Sequence, residues 1–440
     1  MPERTASFRE VFAVREFLVL WIAQVQSRTG DQFARVALAL LVFDRTSSAA
    51  LTALVYAMTM LPPLLTAPLL AGLADRYSRR TVMVVIEVLR ATLIAVMAIP
   101  SLPLPVVAGL VIAATCPEPL FSAARNATMP RVLPDERFPV GMSIMSSTDG
   151  IAQIVGFTVG GVVVAASGSP YLALAINAAT FALSAAMLRW GIDRHRPEPE
   201  PTDGPGSRSG RFALAGIAHV VAHRRLLGLA SLVWLYGCFV VPEALAAPYA
   251  EQTGAGEAAV GALMAADVVG TVVGAVLVAR LGATSRRRLT VPLAAATGLP
   301  LLATVTGPGL AVTVLCWALS GLLSSYLVLA QVMFTRLVPD RLRARAIGFA
   351  AAGLQTAQGL GIALAGFLAD AVPPSVAIAL CGLAGSLGAI AIAVALRPTA
   401  PEQNAPDRTA APAEELTRGG NDGTHPQQAE PRPHVVTQPD

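Results

Sequence analysis

No lysine occurs in the chain, so all 32 basic side chains are arginine. That removes the phosphate-cradling lysine of a P-loop and the Schiff-base lysine of a pyridoxal enzyme, and excludes ATP hydrolysis by the P-loop route. Charge of either sign is scarce, at 14% of residues, and aromatic residues make up 5%. The cysteines, Cys116, Cys238, Cys316 and Cys381, fall inside apolar runs at no paired spacing. They read as small buried side chains rather than a disulfide frame or a metal site. No histidine lies in any long apolar run, so a proton path through those runs would use carboxylates.

What is present is apolar sequence in long blocks. Hydrophobic residues make up 54% of the chain and the mean hydropathy is +0.60. The blocks run at roughly 17–43, 50–71, 81–99, 103–124, 139–166, 170–190, 226–249, 258–281, 289–306, 309–334, 344–371 and 374–396. Each is long enough to cross a bilayer, which predicts an all-α membrane protein of about twelve transmembrane helices. The N-terminal stretch to Glu16 mixes Arg4, Arg9 and Arg15 with acids, unlike a cleavable signal peptide, and is expected to be retained. With that end inside, the inner loops hold Arg76, Arg79, Arg80, Arg125, Arg131, Arg137, Arg286, Arg287, Arg288, Arg341, Arg343 and Arg345 among others, whereas the outer loops hold only Arg45. The positive-inside rule then predicts a multi-pass plasma-membrane protein with both termini cytoplasmic.

The chain divides near DRHRPEPEPTDGPGSRSG (193–210), too rich in proline, glycine and charge to bury a core. The expected organisation is an N-terminal six-helix half (1–192), a cytoplasmic linker with an amphipathic segment (193–225), a C-terminal six-helix half (226–397) and a disordered cytoplasmic tail (398–440). In the amphipathic segment Phe212, Leu214, Ile217 and Val221 can lie on the membrane surface. His219 and His223 stand four apart there, without further ligands to make a metal site. The halves repeat: Arg131-Val-Leu-Pro134-Asp135 recurs as Arg336-Leu-Val-Pro339-Asp340, and at the same offset of 205 Gln153, Gly156 and Gly161 meet Gln358, Gly361 and Gly366. A parallel repeat of this kind predicts a pseudo-twofold axis along the membrane normal with a substrate path between the halves.

The charged island Gly72-Leu-Ala-Asp75-Arg76-Tyr-Ser-Arg79-Arg80, squeezed between two apolar blocks, marks a tight polar hairpin at the membrane surface. It resembles the signature loop of the major facilitator superfamily, and the resemblance covers roughly residues 8 to 397. Leu20-Trp21-x-x-Gln24, with Ser27, Gly30, Asp31 and Val36-Ala37-Leu38, is similar to the twelve-helix bacterial efflux branch of enterobactin exporters and macrolide-efflux pumps. Gly156-Phe157-Thr158-Val159-Gly160-Gly161 looks like the antiporter motif, with Phe157 where proline is usual. The second-half counterpart of the signature loop, Gly282 to Arg288, keeps arginines but lacks the aspartate, so a gate built on it is asymmetric.

The resemblance implies a conformational gate of Gly72, Asp75, Arg76, Arg79 and Arg80, with Asp75 accepting charge-assisted bonds from Arg125 or Arg131 in the next inner loop or meeting the start of helix 11. The bland alternative is a solvated carboxylate contributing little. Ala152, Gly156, Gly160, Gly161, Gly270 and Gly274 fall at small-xxx-small spacing, which permits close helix packing. The ionisable residues within the blocks are Arg28, Asp31, Arg35, Glu87, Arg90, Glu118, Asp149, Glu243 and Asp267. Each costs roughly 2.5–3.5 kcal/mol on insertion scales unless it faces a partner or a wet cavity. Arg28, Asp31 and Arg35 share one face of helix 1 and read either as a local ion pair or as a coupling site, and Glu87 with Arg90, one turn apart, as a structural pair. Asp31, Asp149 and Asp267 lie nearest mid-depth and lead as proton-coupling candidates, with Arg28 and Glu118 beside them. Glu118, between Pro117 and Pro119, is equally placed to cap a bent helix.

Composition and periodicity show a two-halved membrane bundle; the branch resemblance implies a secondary transporter that exports a small amphipathic molecule (a drug, siderophore or secondary metabolite) in exchange for protons, expected to act in the lipid bilayer as a monomer, with no metal, cofactor or nucleic acid. An importer of the same fold is the nearest alternative. A membrane-embedded lipid or acyl transferase would need a nucleophile–base or metal cluster, and the inner loops hold no Cys/His pair and no G-x-S-x-G. A non-transporting sensor would depend on the tail after Arg397.

Overall fold

A 32-residue apolar helix, α2 (Arg15–Thr46), follows the short α1 (Phe8–Phe12) and extends for about 48 Å. Ser7 starts α1 with a capping box, its hydroxyl accepting the Glu10 amide while the Glu10 carboxylate accepts the Ser7 amide. α2 ends where Ser47 takes a left-handed φ of 50°, and Ser48 then caps α3 (Ala49–Ala57) by accepting the Leu51 amide at 3.1 Å. The computed structural model describes residues 7–63, 66, 77–193 and 209–396, among which no strand occurs.

The later elements are α4 (Arg79–Met97), α5 (Leu104–Thr115), α6 (Glu118–Val132), α7 (Arg137–Ser167), α8 (Pro170–Gly191), α9 (Ser209–Ala222), α10 (Arg224–Trp234), α11 (Tyr236–Phe239), α12 (Val241–Thr253), α13 (Glu257–Ala279) and α14 (Ala283–Ala296). A 3-10 turn at Pro300–Thr306 leads to α15 (Leu310–Leu323), α16 (Tyr326–Leu337), α17 (Asp340–Ala371) and α18 (Pro374–Ala395). Taken as continuous rods they fall on the twelve blocks read from the sequence. Nine rods among the described residues are long and apolar enough to cross a membrane by composition alone. The other three are α2, with Arg28, Asp31 and Arg35 inside it, α4, with Glu87 and Arg90, and the rod begun by α3, which is described only in part.

Four rods are broken, each where the chain supplies a reason. Pro117 interrupts the fourth between α5 and α6, and the Thr66 hydroxyl donates to the freed Cys116 carbonyl at 2.7 Å. The seventh is split into α10, α11 and α12, with Pro242 and Pro248 in its last piece. The ninth tightens to a 3-10 turn at Pro300, and the tenth breaks at Ser324-Ser325, where Ser324 donates back to Ser320 O at 3.1 Å.

The fourth rod runs past its expected end near residue 124 to Val132, so Arg125 and Arg131 are helical residues rather than parts of an inner loop. The Ser209–Ala222 segment also differs from a free interfacial helix. Val220 is fully buried with Leu226, Phe334 and Val338, and Gly216 faces Arg345 at the start of α17, while Ile217 and Val221 stay exposed. Packing on α17 takes the Val220 side, and the side chains of Phe212 and Leu214 lie outside the described residues.

The two halves repeat one packing scheme. α7 lies on α2 so closely that a Cβ on Gly156 would stand 2.8 Å from Thr29 O, and at the repeat offset a Cβ on Gly361 of α17 would stand 2.2 Å from Gly237 O of α11. The halves meet through α7 against α13, where a Cβ on Gly161 would come within 2.7 Å of Gly261 Cα, and through α17 against α3, where one on Gly366 would reach 3.1 Å from Ala49 O. Both contacts lie toward the end marked by Ser47 and Gly254. There Asp370 of α17 accepts from Ser48 Oγ at 3.0 Å and from the Ala50 amide at 3.1 Å, capping a helix of the other half. The opposite end carries the arginines, with Arg79 bonded to Ala127 O at 2.5 Å, Arg80 to Arg189 O and Arg224 to Ala395 O.

Candidate functional site

A cavity of about 460 Å³ opens between the halves, the size of a small-molecule site. Its N-terminal wall carries Arg28, Arg35, Thr59, Glu118, Ser122 and Gln153, and its C-terminal wall Tyr236, Glu243, Gln355 and Gln358. Met60, Pro63, Pro119 and Val240 supply apolar surface. Gln153 and Gln358, equivalent in the internal repeat, face this space from opposite halves, as a pseudo-twofold axis through it requires.

The buried charged side chains of the N-terminal half pair across helices in adjacent sets. Arg28 of α2 donates to Glu118 of α6 at 2.7 Å and reaches Asp149 of α7 at 3.6 Å. Gln24, one turn before Arg28, donates to Asp149 at 2.6 Å and accepts from Arg125 at 2.7 Å. Asp31 pairs with Arg90 of α4 at 2.8 Å, and the Arg90 guanidinium lies 4.2 Å from the centre of the Phe181 ring. Glu87 accepts from Ser27 at 2.8 Å. A side recess of about 50 Å³ joins Arg28, Asp31, Arg35, Arg90 and Glu118 behind the main cavity.

These pairings correct two expectations. Arg28 and Asp31 make no ion pair within α2, because each finds its opposite charge on a neighbouring helix, where bundle packing brings the groups within 3 Å. Glu87 and Arg90 do not bond to one another either; Arg90 crosses to Asp31 and Glu87 to Ser27. Glu118 does open a helix after Pro117, yet its carboxylate is turned to Arg28.

The C-terminal half is simpler. Asp267 is buried behind the cavity and accepts from Tyr236, a wall residue, at 3.0 Å. Glu243 is also buried and accepts from Tyr56 of α3 at 2.8 Å, a hydrogen bond that ties the halves together inside the protein. Arg28, Glu118 and Asp149 are thus bonded together, Asp31 stands beside them in the recess with Arg90, and Asp267 stands apart in the other half. Tyr56, Tyr236, Ser122 and Gln355 were not among the sequence candidates, and the signal available for them is a polar side chain inside an apolar block.

Gly72, Asp75 and Arg76 lie outside the described residues. Arg79, Arg80 and Arg131 line a narrow crevice with Asp193 at the arginine end, while Arg125 has turned inward to Gln24. Gly156 and Gly160 seat α7 on Thr29 and Phe33 of α2, and Gly161 seats it on α13. The four cysteines are free thiols, and no group of three or more potential metal ligands occurs among the described residues.

The comparisons with known proteins agree with this architecture. The curated relative YfiS of Bacillus subtilis (strain 168), an uncharacterized MFS-type transporter, is 31% identical over 173 residues, which are 39% of this chain and 41% of that protein. The crystal structure of the nucleoside transporter NupG matches with a TM-score of 0.65 at 14% identity, covering 86% of this chain and 98% of that one. A POT family transporter in complex with 5-aminolevulinic acid matches at 0.68 with 11% identity over 89% and 97%, and a bacterial homologue of the human lysosomal transporter Spinster at 0.63 with 14% identity over 87% and 94%. At such identities the likeness concerns the fold. The Major Facilitator Superfamily family model matches residues 20–242 and 239–435, so this chain belongs to the Major Facilitator Superfamily.

Proposed function

We propose that this membrane transporter exports a small amphipathic molecule across the plasma membrane in exchange for protons, by alternating access and with both termini cytoplasmic. The observation that carries the reading is the central cavity, which lies between the halves beneath a seal of Gly161 on Gly261 and of Asp370 on α3. The arginine asymmetry orients that seal outward, so the chain would be in a state open to the cytoplasm. Protons would be carried by Asp31, Asp149, Asp267 and Glu118, with Arg28 as the cation that two of these carboxylates share. A carboxylate that loses its proton gains strength as an arginine partner, so titration within this network would favour one helix arrangement over another. The gate of Gly72, Asp75, Arg76, Arg79, Arg80, Arg125 and Arg131 would hold the cytoplasmic end shut in the opposite state.

A susceptibility panel in an efflux-deficient host, followed by counterflow of the compound found in proteoliposomes with and without a pH gradient, tests this. Export that rises with an inward proton gradient is the expected result. Importers share the fold, and whole-cell influx of the same compound, increased by expression, would establish that alternative.

A further inference from the structure

Seven acidic and basic side chains stand at or just behind the central cavity, and all but one make an ion pair or hydrogen bond at 3.6 Å or less; Asp31 and Arg90 hold one another. Arg28 is taken by Glu118 and Asp149, and Glu118 by Arg28. Glu243 holds the Tyr56 hydroxyl and Asp267 that of Tyr236. Arg35 is the remainder. It lines both the main cavity and the side recess, yet among the described residues it has no carboxylate oxygen within 4 Å. Its guanidinium carbon stands 5.8 Å from the centre of the Tyr56 ring, near the outer limit of a cation–π contact, and the Tyr56 hydroxyl, which donates to Glu243, is its polar neighbour; one hydroxyl engages at most part of a five-donor fork.

An arginine at membrane depth is costly unless a partner or water compensates it. The other arginines beside the cavity have such partners from their own half, and of the three charged residues in the middle of α2, Arg28 and Asp31 are paired across helices while Arg35 is not. Arg35 presents a planar fork of donors to a cavity of about 460 Å³, and that fork fits a carboxylate in two parallel hydrogen bonds. Gln153, Gln355 and Gln358 offer neutral amides around it, and Met60 and Val240 an apolar floor.

We propose that Arg35 is the seat for an anionic group of the substrate, so that the transported molecules are small amphipathic organic acids whose carboxylate docks on this guanidinium while an apolar body lies on Met60 and Val240. The reading rests on the transport function proposed above and narrows its substrate class. It also gives the halves a reason to move: the substrate anion would occupy Arg35 beside Tyr56, the residue that bonds Glu243 of the other half.

The full chain in phospholipid nanodiscs is titrated with dansyl-glycine and with dansyl-glycinamide, probes matched in size and differing in charge. The wild-type protein should bind the acid about tenfold or more tightly than the amide, the size of effect a charge-assisted bidentate pair gives. Arg35→Gln should abolish that preference and leave amide affinity in place, and Arg35→Lys should keep part of it. Equal affinity for the two probes in wild type, no measurable acid binding, or an unchanged preference in Arg35→Gln overturns the proposal. Equal loss of both probes in Arg35→Gln and Arg35→Lys also overturns it and assigns Arg35 to the Tyr56–Glu243 junction. The wild-type comparison needs no variant to fold. Acid-selective binding without counterflow in proteoliposomes would sink the transport reading and keep the seat, whereas counterflow of a neutral compound untouched by Arg35→Gln would do the reverse.

Discussion

Asp31 illustrates how far a single residue can be read before its neighbours are known. The sequence marks it as an acid buried in an apolar block, and the structure supplies its partner, Arg90, 59 residues away at 2.8 Å. Replacing it with asparagine keeps the size and one acceptor but removes both the charge and the titration. In Asp31→Asn, proton-driven export should collapse while substrate binding measured without a gradient survives within a few-fold; unchanged pH dependence of transport would move the coupling role to Asp149 or Asp267. Glu118→Gln tests the other pair. It leaves Arg28 with Asp149 at 3.6 Å as its remaining carboxylate, and losing a hydrogen bond between charged groups should lower stability by about 1.5–3 kcal/mol, read as a fall in thermal midpoint in detergent. Combining it with Arg28→Gln should restore part of that loss if the two act as a pair. The positions of Arg28, Asp31, Glu87 and Arg90 were legible because charge is rare inside apolar blocks. Their pairings were not, because helical spacing exposes neighbours only at i+3 and i+4, whereas the partners here come from helices packed in three dimensions.

Elements were the most legible scale. Long apolar blocks locate the rods, since every backbone group in a bilayer must be satisfied within its own helix; nine pass by composition alone, and α2 and α4 carry charges inside. The ends were less legible: α6 continues to Val132 past Arg125, because an arginine whose guanidinium turns inward to Gln24 does not have to end a membrane helix. Small residues then decide which rods touch. Gly161 faces Gly261 with no room for a methyl group, since the obstructing atoms are backbone. Gly161→Ala should wedge α7 from α13 at the Ser47 and Gly254 end, with an overpacking cost of about 1–3 kcal/mol borne by the conformation described here. That corresponds to a shift of roughly 5- to 100-fold toward the opposite state. Spin labels at Ser167 and Glu257 in a cysteine-free background should report a longer distance distribution; an unchanged distribution with normal transport would mean that the helices slide to absorb the methyl group.

At the scale of the whole molecule the seal at one end and the arginines at the other define a direction, and orientation in the membrane gives it meaning. Single cysteines at Ser207 and Thr253 should label from opposite sides, Ser207 from the cytoplasm and Thr253 from outside, and labelling of both from one side would refute the predicted topology. A rocking pair of halves also needs a second seal, at the arginine end, when the Gly161 and Asp370 contacts open. The described seal of Gly161 on Gly261 and Asp370 on α3 lies at the other end, with Tyr56 on Glu243 deeper inside, so on the alternating-access reading proposed above the arginine end is where the second closure would form. On the gate proposed above, Asp75 would supply the acid for that closure. If its carboxylate accepts bonds from arginines or from the start of α17 in the closed form, Asp75→Asn removes charge-assisted bonds worth roughly 1.5–3 kcal/mol from that form alone. The balance then shifts about ten- to a hundredfold toward the conformation described here. The variant should reach the membrane, bind substrate from the cytoplasmic side and turn over slowly. Spin labels on the arginine-end termini of α4 and α14 should show the longer distances gaining population; slowed transport with no such change would assign Asp75 to folding or insertion instead of the gate.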